Sequence, residues 1–314
     1  PEKITLCEGC GVGRVSRAEK AADDYVKHLL STSDLSVKKL KVLVDCANGS
    51  ASATAKDLFT KLNVDFDLMY DQPDGCNIND NCGSTHVEKL CEKVVNGGYD
   101  LAVAFDGDAD RCLAIDEKGK IVDGDKLIAI ISKHMRDKGQ LRNDTAVVTV
   151  MSNLGFHTYM KNNSLKTVCT AVGDRYVLEE MLKSGYNIGG EQSGHIIFLD
   201  YATTGDGQLT AVQLITMMSE SKMPLSQLTA GIEDYPQLLV NVKITEAGKN
   251  KWDKNEAIMT SIKEAETAMG DSGRVLVRES GTEPLVRVML EGKSAEDVDY
   301  WTNRIADVVR EQLC

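Results

Sequence analysis

The sequence has only five prolines in 314 residues. It holds no run of about 18 apolar residues, which excludes a helical span of a bilayer. Lys/Arg-rich stretches are also missing, and 36 basic residues against 48 acidic ones leave a net charge of −12. Such a surface argues against nucleic acid or a membrane as partner. An anionic substrate has to be drawn in by a local basic pocket. Repeating cysteine motifs are lacking too. The nine cysteines are odd in number and irregularly spaced, which reads as reduced thiols in a cytoplasmic setting. Cys7-x-x-Cys10 is half of a zinc or redox motif, with no second CxxC to complete it.

What is present suits a globular chain of two or three domains, with 42% hydrophobic residues and 26 glycines. Apolar periodicity predicts a helix over 16–30, a buried strand within 39–50, a helix after it, and an alternating strand from Val64. A helix over 87–95 then leads into the strand that begins at Asp100. The pattern restarts with a helix over 124–138, the strand 145–151, a helix over 175–184, a glycine-rich turn, the strand "HIIFLD" and a helix from Gly207. From Pro236 it changes to three strands and two long helices. The expected fold class is α/β: two α/β domains with mixed sheets (1–119 and 120–234), then a smaller C-terminal α+β domain (235–314).

Three stretches carry chemistry. "FDGDADR" places Asp106, Asp108 and Asp110 at alternate positions after a buried strand. Two such charges at ~4 Å repel by roughly 4 kcal/mol at an effective dielectric near 20. Either the loop turns them into water or a cation holds them, and hard carboxylate oxygens with open positions suit Mg2+. The spacing nearly satisfies a calcium-binding EF-hand, but Arg111 stands where that loop needs glycine. "VRESGTEPLVRV" sets Ser280, Gly281 and Thr282 between Arg278 and Arg287, an anion nest flanked by guanidinium groups; a helix-capping box at Ser280-x-x-Glu283 is the alternative. "NIGGEQSGHIIF" spaces Glu191, Ser193 and His195 alternately. On an extended loop these would share a face and suit sugar hydroxyls; a plain polar turn is the alternative.

Together the Asp-Gly-Asp-x-Asp-Arg, Gly-Glu-x-Ser-Gly-His and Arg-x-Ser-Gly-Thr-Glu-Pro stretches, in this order, resemble the α-D-phosphohexomutase family over essentially the whole chain. Gln192, "NIND" and "CGSTH" within 77–86, "MSNLGF" at 151–156 and "VGDRYVLE" at 172–179 look like its branch that acts on glucosamine phosphates. The resemblance implies an intramolecular phosphotransferase that interconverts glucosamine 6-phosphate and glucosamine 1-phosphate through a phosphoserine and a bisphosphate intermediate. It implies Mg2+ on the three aspartates and catalytic roles for Arg111 and His195. Glu191, Ser193 and His195 would meet the sugar, and Arg175, Arg278, Ser280, Gly281, Thr282 and Arg287 would meet phosphate. Mannose or glucose phosphates, or phosphosugar binding without catalysis, are the rival readings, and a monomer or homodimer is expected. The family's phosphoserine lies in a Ser-His-Asn-Pro stretch of its first domain. No such stretch occurs here and the sequence opens on Pro1, so the chain is expected to be a piece of a longer protein, with weak Mg2+ binding and negligible turnover alone.

Overall fold

The computed structural model describes residues 9–33, 40–280 and 283–314. Its first layer is built around α1 (Ala21–Ser31), β1 (Lys41–Asp45), α2 (Ala55–Lys61), β2 (Asp65–Met69), α3 (Glu88–Gly97), β3 (Leu101–Phe105), β4 (Cys112–Asp116) and β5 (Ile121–Val122). The sheet order is β2–β1–β3–β4–β5, parallel through β3 and antiparallel beyond it. All five residues of β3 are buried because helices cover both faces, and that explains the unbroken apolar run. Valines and leucines of α1 and α2 fill one side, while Leu90 and Val94 of α3 fill the other.

The predicted helix over 16–30 begins later, at Ala21. Lys20 provides no side-chain cap, Val15 is fully exposed, and the fully buried residues of α1, Val26 and Leu29, lie from its midpoint onward, with Tyr25 and Leu30 packed beside them. Residues 11–20, ahead of α1, are all exposed.

The second layer comprises α4 (Gly124–Asp137), β6 (Thr145–Thr149), α5 (Leu154–Asn162), β7 (Lys166–Thr170), α6 (Asp174–Ser184), β8 (Ile188–Gly190), β9 (Ile196–Phe198), α7 (Gly207–Ser221) and the single turn α8 (Leu225–Leu228). Its order is β7–β6–β8–β9, with β7 and β8 parallel to β6 and β9 antiparallel to β8. Two elements differ from expectation. Helix α5 carries no assignment in the periodicity reading, and Ile188–Gly190, read as part of a turn, is a buried strand. The first two sheets also share one hydrophobic interior, in which Phe105 and Ala114 lie in the same cluster as Ile128, Phe156, Leu209 and Ile215.

The third layer is an antiparallel sheet of β10 (Gln237–Lys243), β11 (Gly273–Glu279) and β12 (Leu285–Gly292) in the order β10–β12–β11. Helices α9 (Glu256–Met269) and α10 (Ala295–Leu313) cover one face, where Val286, Val288 and Leu290 meet Ile258, Ile262, Ile305 and Val309. Period-2 alternation turns Arg287, Met289 and Glu291 to the other face. Among the described residues no helix is long and apolar enough to cross a membrane.

Candidate active site

In open α/β sheets ligands lie at the carboxyl ends of parallel strands, and the acidic loop and the Glu191–Gly194 turn follow the carboxyl ends of β3 and β8. The loop 106–111 closes the β3–β4 hairpin, whose last rung pairs Phe105 with Cys112. Ala109 takes the left-handed conformation (φ 59°) and donates its N–H to Asp106 O at 3.0 Å. Arg111 N–H donates to Asp106 Oδ1 at 3.2 Å, and Arg111 Nε lies 4.0 Å from Asp106 Oδ2 and 3.8 Å from Asp110 Oδ1. Burial pushes the Asp106 carboxyl above its usual range, and Asp110 adds to this against the pull of the Arg111 amide. The strands flanking this loop rule out an EF-hand, which needs helices.

Hard oxygen donors crowded around one guanidinium fit Mg2+ in chemical type. They do not yet form a closed cage: among the described residues no three His, Cys, Asp or Glu side chains converge on one point. Mg2+ usually keeps several waters and takes one or two carboxylates plus substrate phosphate, so the loop suits an ion held by part of the triplet.

Two segments of the second layer support this loop. Arg111 and His195 form an isolated antiparallel bridge, and Cys112 N–H donates to Gly194 O at 3.0 Å. Gly194 (φ 95°) sits so close that a Cβ there would lie 2.5 Å from Cys112 O. His195 is 4% exposed. Its Nδ1 faces Asp110 Oδ2 at 3.2 Å, while its Nε2 accepts the Gly205 N–H at 3.0 Å. That second contact assigns the ring proton to Nδ1. Gly207 N–H in turn donates to Ala109 O at 2.9 Å. Both ring nitrogens are engaged in the structure, Nδ1 by Asp110 and Nε2 by the Gly205 N–H.

Glu191–Gly194 is a tight turn between β8 and β9, closed by Gly194 N–H on Glu191 O at 3.0 Å and Glu191 N–H on His195 O at 3.0 Å. A turn breaks the period-2 pattern, so Glu191, Ser193 and His195 do not share one face as an extended loop would require. Ser193 is exposed and Glu191 is half-buried. Glu191 Oε1 accepts the Gly173 N–H at 3.1 Å, which ties this loop to the start of α6. Arg175, on that first turn, is largely exposed and pairs with Glu179 at 2.7 Å. Gln192 points the other way, donating to Asp123 Oδ2 at 3.2 Å.

In the third layer Arg278 and Arg287 are directly opposed in the β11–β12 register. Among the described residues neither has an acidic partner, and the buried Nε of Arg287 lacks a hydrogen bond. Burial, then the Arg287 charge, pulls the Arg278 guanidinium below its ordinary range. Among the described residues no helix starts directly after β11: Leu285 opens strand β12. Ser280 Oγ accepts the Glu283 N–H at 3.4 Å and Ser280 N–H donates to Leu285 O, the first residue of β12, at 2.9 Å. Gly281 and Thr282 lie outside the described residues, as does Cys7.

Several supporting residues escape a reading by motif. Asp206 caps α7 through Leu209 N–H and accepts the Tyr25 hydroxyl at 2.9 Å on both oxygens, between Gly205, which donates to His195, and Gly207, which donates to Ala109 O of the acidic loop. Asp45, 1% exposed at the end of β1, accepts from Ala47 and Gly83 N–H. Ser50 N–H then donates to Gly107 O at 2.9 Å. The Gly-Asp-Gly run at 205–207 and the carboxylate ending a buried strand were the available signals.

Three family profiles match the chain in succession. Residues 23–119 match phosphoglucomutase/phosphomannomutase alpha/beta/alpha domain II, 123–235 match its alpha/beta/alpha domain III, and 239–308 match its C-terminal domain. The chain is 50% identical over 302 residues to a phosphoglucosamine mutase of Brevibacillus brevis, covering 96% of this chain and 67% of that protein. It is 49% identical over 312 residues to one of Bacillus subtilis, covering 99% and 69%. Among solved structures, a phosphoglucomutase/phosphomannomutase family protein of Burkholderia thailandensis superposes with a TM-score of 0.78 at 20% identity, over 93% of this chain and 65% of that one. The N-acetylphosphoglucosamine mutase of Aspergillus fumigatus, in complex with GlcNAc-6P and magnesium, gives 0.73 at 22%, over 93% and 65%. These two likenesses bear on the fold. The chain spans about two thirds of the length of the proteins it matches.

Proposed function

The chain belongs to the phosphoglucomutase/phosphomannomutase family, and from that premise we propose that it supplies the metal, sugar and phosphate loops of a phosphoglucosamine mutase, interconverting glucosamine 6-phosphate and glucosamine 1-phosphate. The observation that carries this reading is the opposed Arg278–Arg287 pair, two arginines directly across from each other in the β11–β12 register with no acidic partner among the described residues. Like charges directly opposed across strands destabilise a sheet. A phosphate dianion between them reverses the sign of that interaction through charge-assisted forked hydrogen bonds.

In this reading Arg278, Ser280, Gly281, Thr282 and Arg287 grip the phosphate that does not react, and Arg175 offers a further exposed guanidinium. Glu191 accepts from, and Ser193 exchanges hydrogen bonds with, the sugar's hydroxyl and amino groups, which orients either end of the molecule. Asp106, Asp108 and Asp110 would hold Mg2+, which when bound supplies charge stabilisation to the transferring phosphoryl oxygens. Arg111 limits repulsion within the triplet, and His195 fixes the Asp110 carboxylate. The reading puts the phosphoryl-carrying serine outside these 314 residues, which contain no Ser-His-Asn-Pro sequence. The chain alone then binds phosphosugar without turning it over.

Calorimetric titration with the 6-phosphates of glucosamine, mannose and glucose tests this. Tightest binding of glucosamine 6-phosphate supports the proposal. Preference for mannose or glucose 6-phosphate moves the assignment within the family, and no binding of any of the three contradicts it.

A further inference from the structure

The "MSNLGF" stretch enters none of the roles above, yet three parts of the C-terminal layer converge on it. Glu291 of β12 is 0% exposed, and its Oε1 accepts the Leu154 N–H at the start of α5, 2.8 Å away. Its Oε2 takes Arg274 Nε of β11 at 2.6 Å. Arg274 completes its fork on the same loop, donating Nη1 to Val150 O at 3.0 Å and Nη2 to Ser152 O at 2.6 Å. The connector into β10 joins them. Asn153 Nδ2 donates to Tyr235 O at 3.1 Å, and Tyr235 N–H donates to Asn153 Oδ1 at 3.2 Å. From beneath, Asp125 Oδ2 accepts the Asn153 N–H at 2.7 Å and steadies the loop.

This seat has a fixed relation to both ends of the candidate site. Residues 150–155 follow β6, and the sugar loop 191–194 follows β8, its parallel neighbour. On the other side, Arg274 faces Glu291 in the same ladder in which Arg278 faces Arg287. The two pairs are four residues apart on each strand, so they share a face at a separation of about 14 Å. A rigid strand pair transmits any tilt at the first pair to the second.

We propose, resting on the phosphosugar reading above, that Arg274 and Glu291 are positioning residues: by locking β11 and β12 onto residues 150–155 they set where the Arg278–Arg287 grip stands relative to the sugar loop. The geometry separates two quantities that a local defect would not. Inorganic phosphate needs only the grip, whereas a phosphosugar has to reach the grip and the sugar loop at once. Misplacing the grip without altering it weakens the second kind of ligand alone.

The test uses the chain with Glu291→Gln, and Arg274→Lys as a second variant in case the first does not fold. Calorimetry with glucosamine 6-phosphate is expected to show affinity lower by at least about tenfold, with inorganic phosphate affinity changed less than about twofold. Spin labels on noncanonical residues at Lys183 and Asn303, both exposed on α6 and α10, report the seating without any ligand, and the distance distribution between them should broaden. Equal losses for both ligands, or no loss for either, overturn the proposal. If the unaltered chain binds neither ligand, the phosphosugar reading falls. The label distances then decide the seating alone: broadening upholds the lock, and an unchanged distribution removes it.

Discussion

Arg278 and Arg287 stand directly across from each other on β11 and β12, with the buried Arg287 Nε lacking a partner among the described residues. Two cations opposed with no acidic partner among the described residues cost the sheet stability, and on the proposed reading a bound phosphate offsets that cost. Replacing Arg287 by Met should therefore cost binding and not folding. Hydrogen bonds to charged groups contribute about 1.5–3 kcal/mol, so phosphate affinity should fall about 10- to 100-fold by calorimetry. The melting temperature should hold or rise. A variant that melts markedly lower would show the pair to be structural.

Asp108 is the exposed member of the triplet, and among the described residues no hydrogen bond of its side chain holds the loop. Mg2+ at about 100 times its Kd should stabilise the native chain by about 2.7 kcal/mol, read as a rise in melting temperature. Asp108→Asn should melt like the unaltered chain without Mg2+ and lose that rise. If the variant keeps the full Mg2+ response, the ion is bound somewhere else.

His195→Ala removes a ring that fills the space beside Gly205 and leaves both Asp110 Oδ2 and the Gly205 N–H without a partner. A loss of roughly 2–4 kcal/mol in chemical denaturation follows from the cavity and the unmade hydrogen bonds. Mg2+ affinity should fall with it. A stable variant with undiminished Mg2+ affinity would take His195 out of the site.

Burial, and next the charge of Asp123, push the Asp125 carboxyl up to about 7. The unfolded chain releases this proton near pH 4, while the native state keeps it to about pH 7. Over that window the native state binds more protons, so this group makes stability decline as pH rises. The decline is bounded at roughly 4 kcal/mol, from ~1.4 kcal/mol per pKa unit. Asp125→Asn keeps an acceptor for the Asn153 N–H and removes the decline. Denaturation curves should show the variant more stable above pH 7, with the gap closing towards pH 4. A gap independent of pH would contradict this.

Chemistry-bearing loops were legible wherever the chemistry was local in sequence. The run from Leu101 to Arg111 announces a buried strand and an acidic turn, because both the apolar pattern and the charge spacing fall within one stretch. The Arg278 and Arg287 flanks were legible as well, since a short hairpin brings them together. Strand β8 was not, because Ile-Gly-Gly has almost no side chains from which to read a period. Nor was the place of His195, whose Nε2 is set by a backbone N–H ten residues later. The Glu291 contact with Leu154 N–H joins residues 137 positions apart, and only the folded sheet brings them within reach.

The central claim is that the acidic loop and the arginine pair act on one phosphosugar. A crystal structure of the chain with Mg2+ and glucosamine 6-phosphate tests it most directly. The account predicts the ion on carboxylate oxygens of Asp106, Asp108 or Asp110, the phosphate between Arg278 and Arg287, and the sugar against Glu191 and Ser193. An ion bound away from that loop, or a phosphate seated elsewhere while the arginines remain bare, would contradict it.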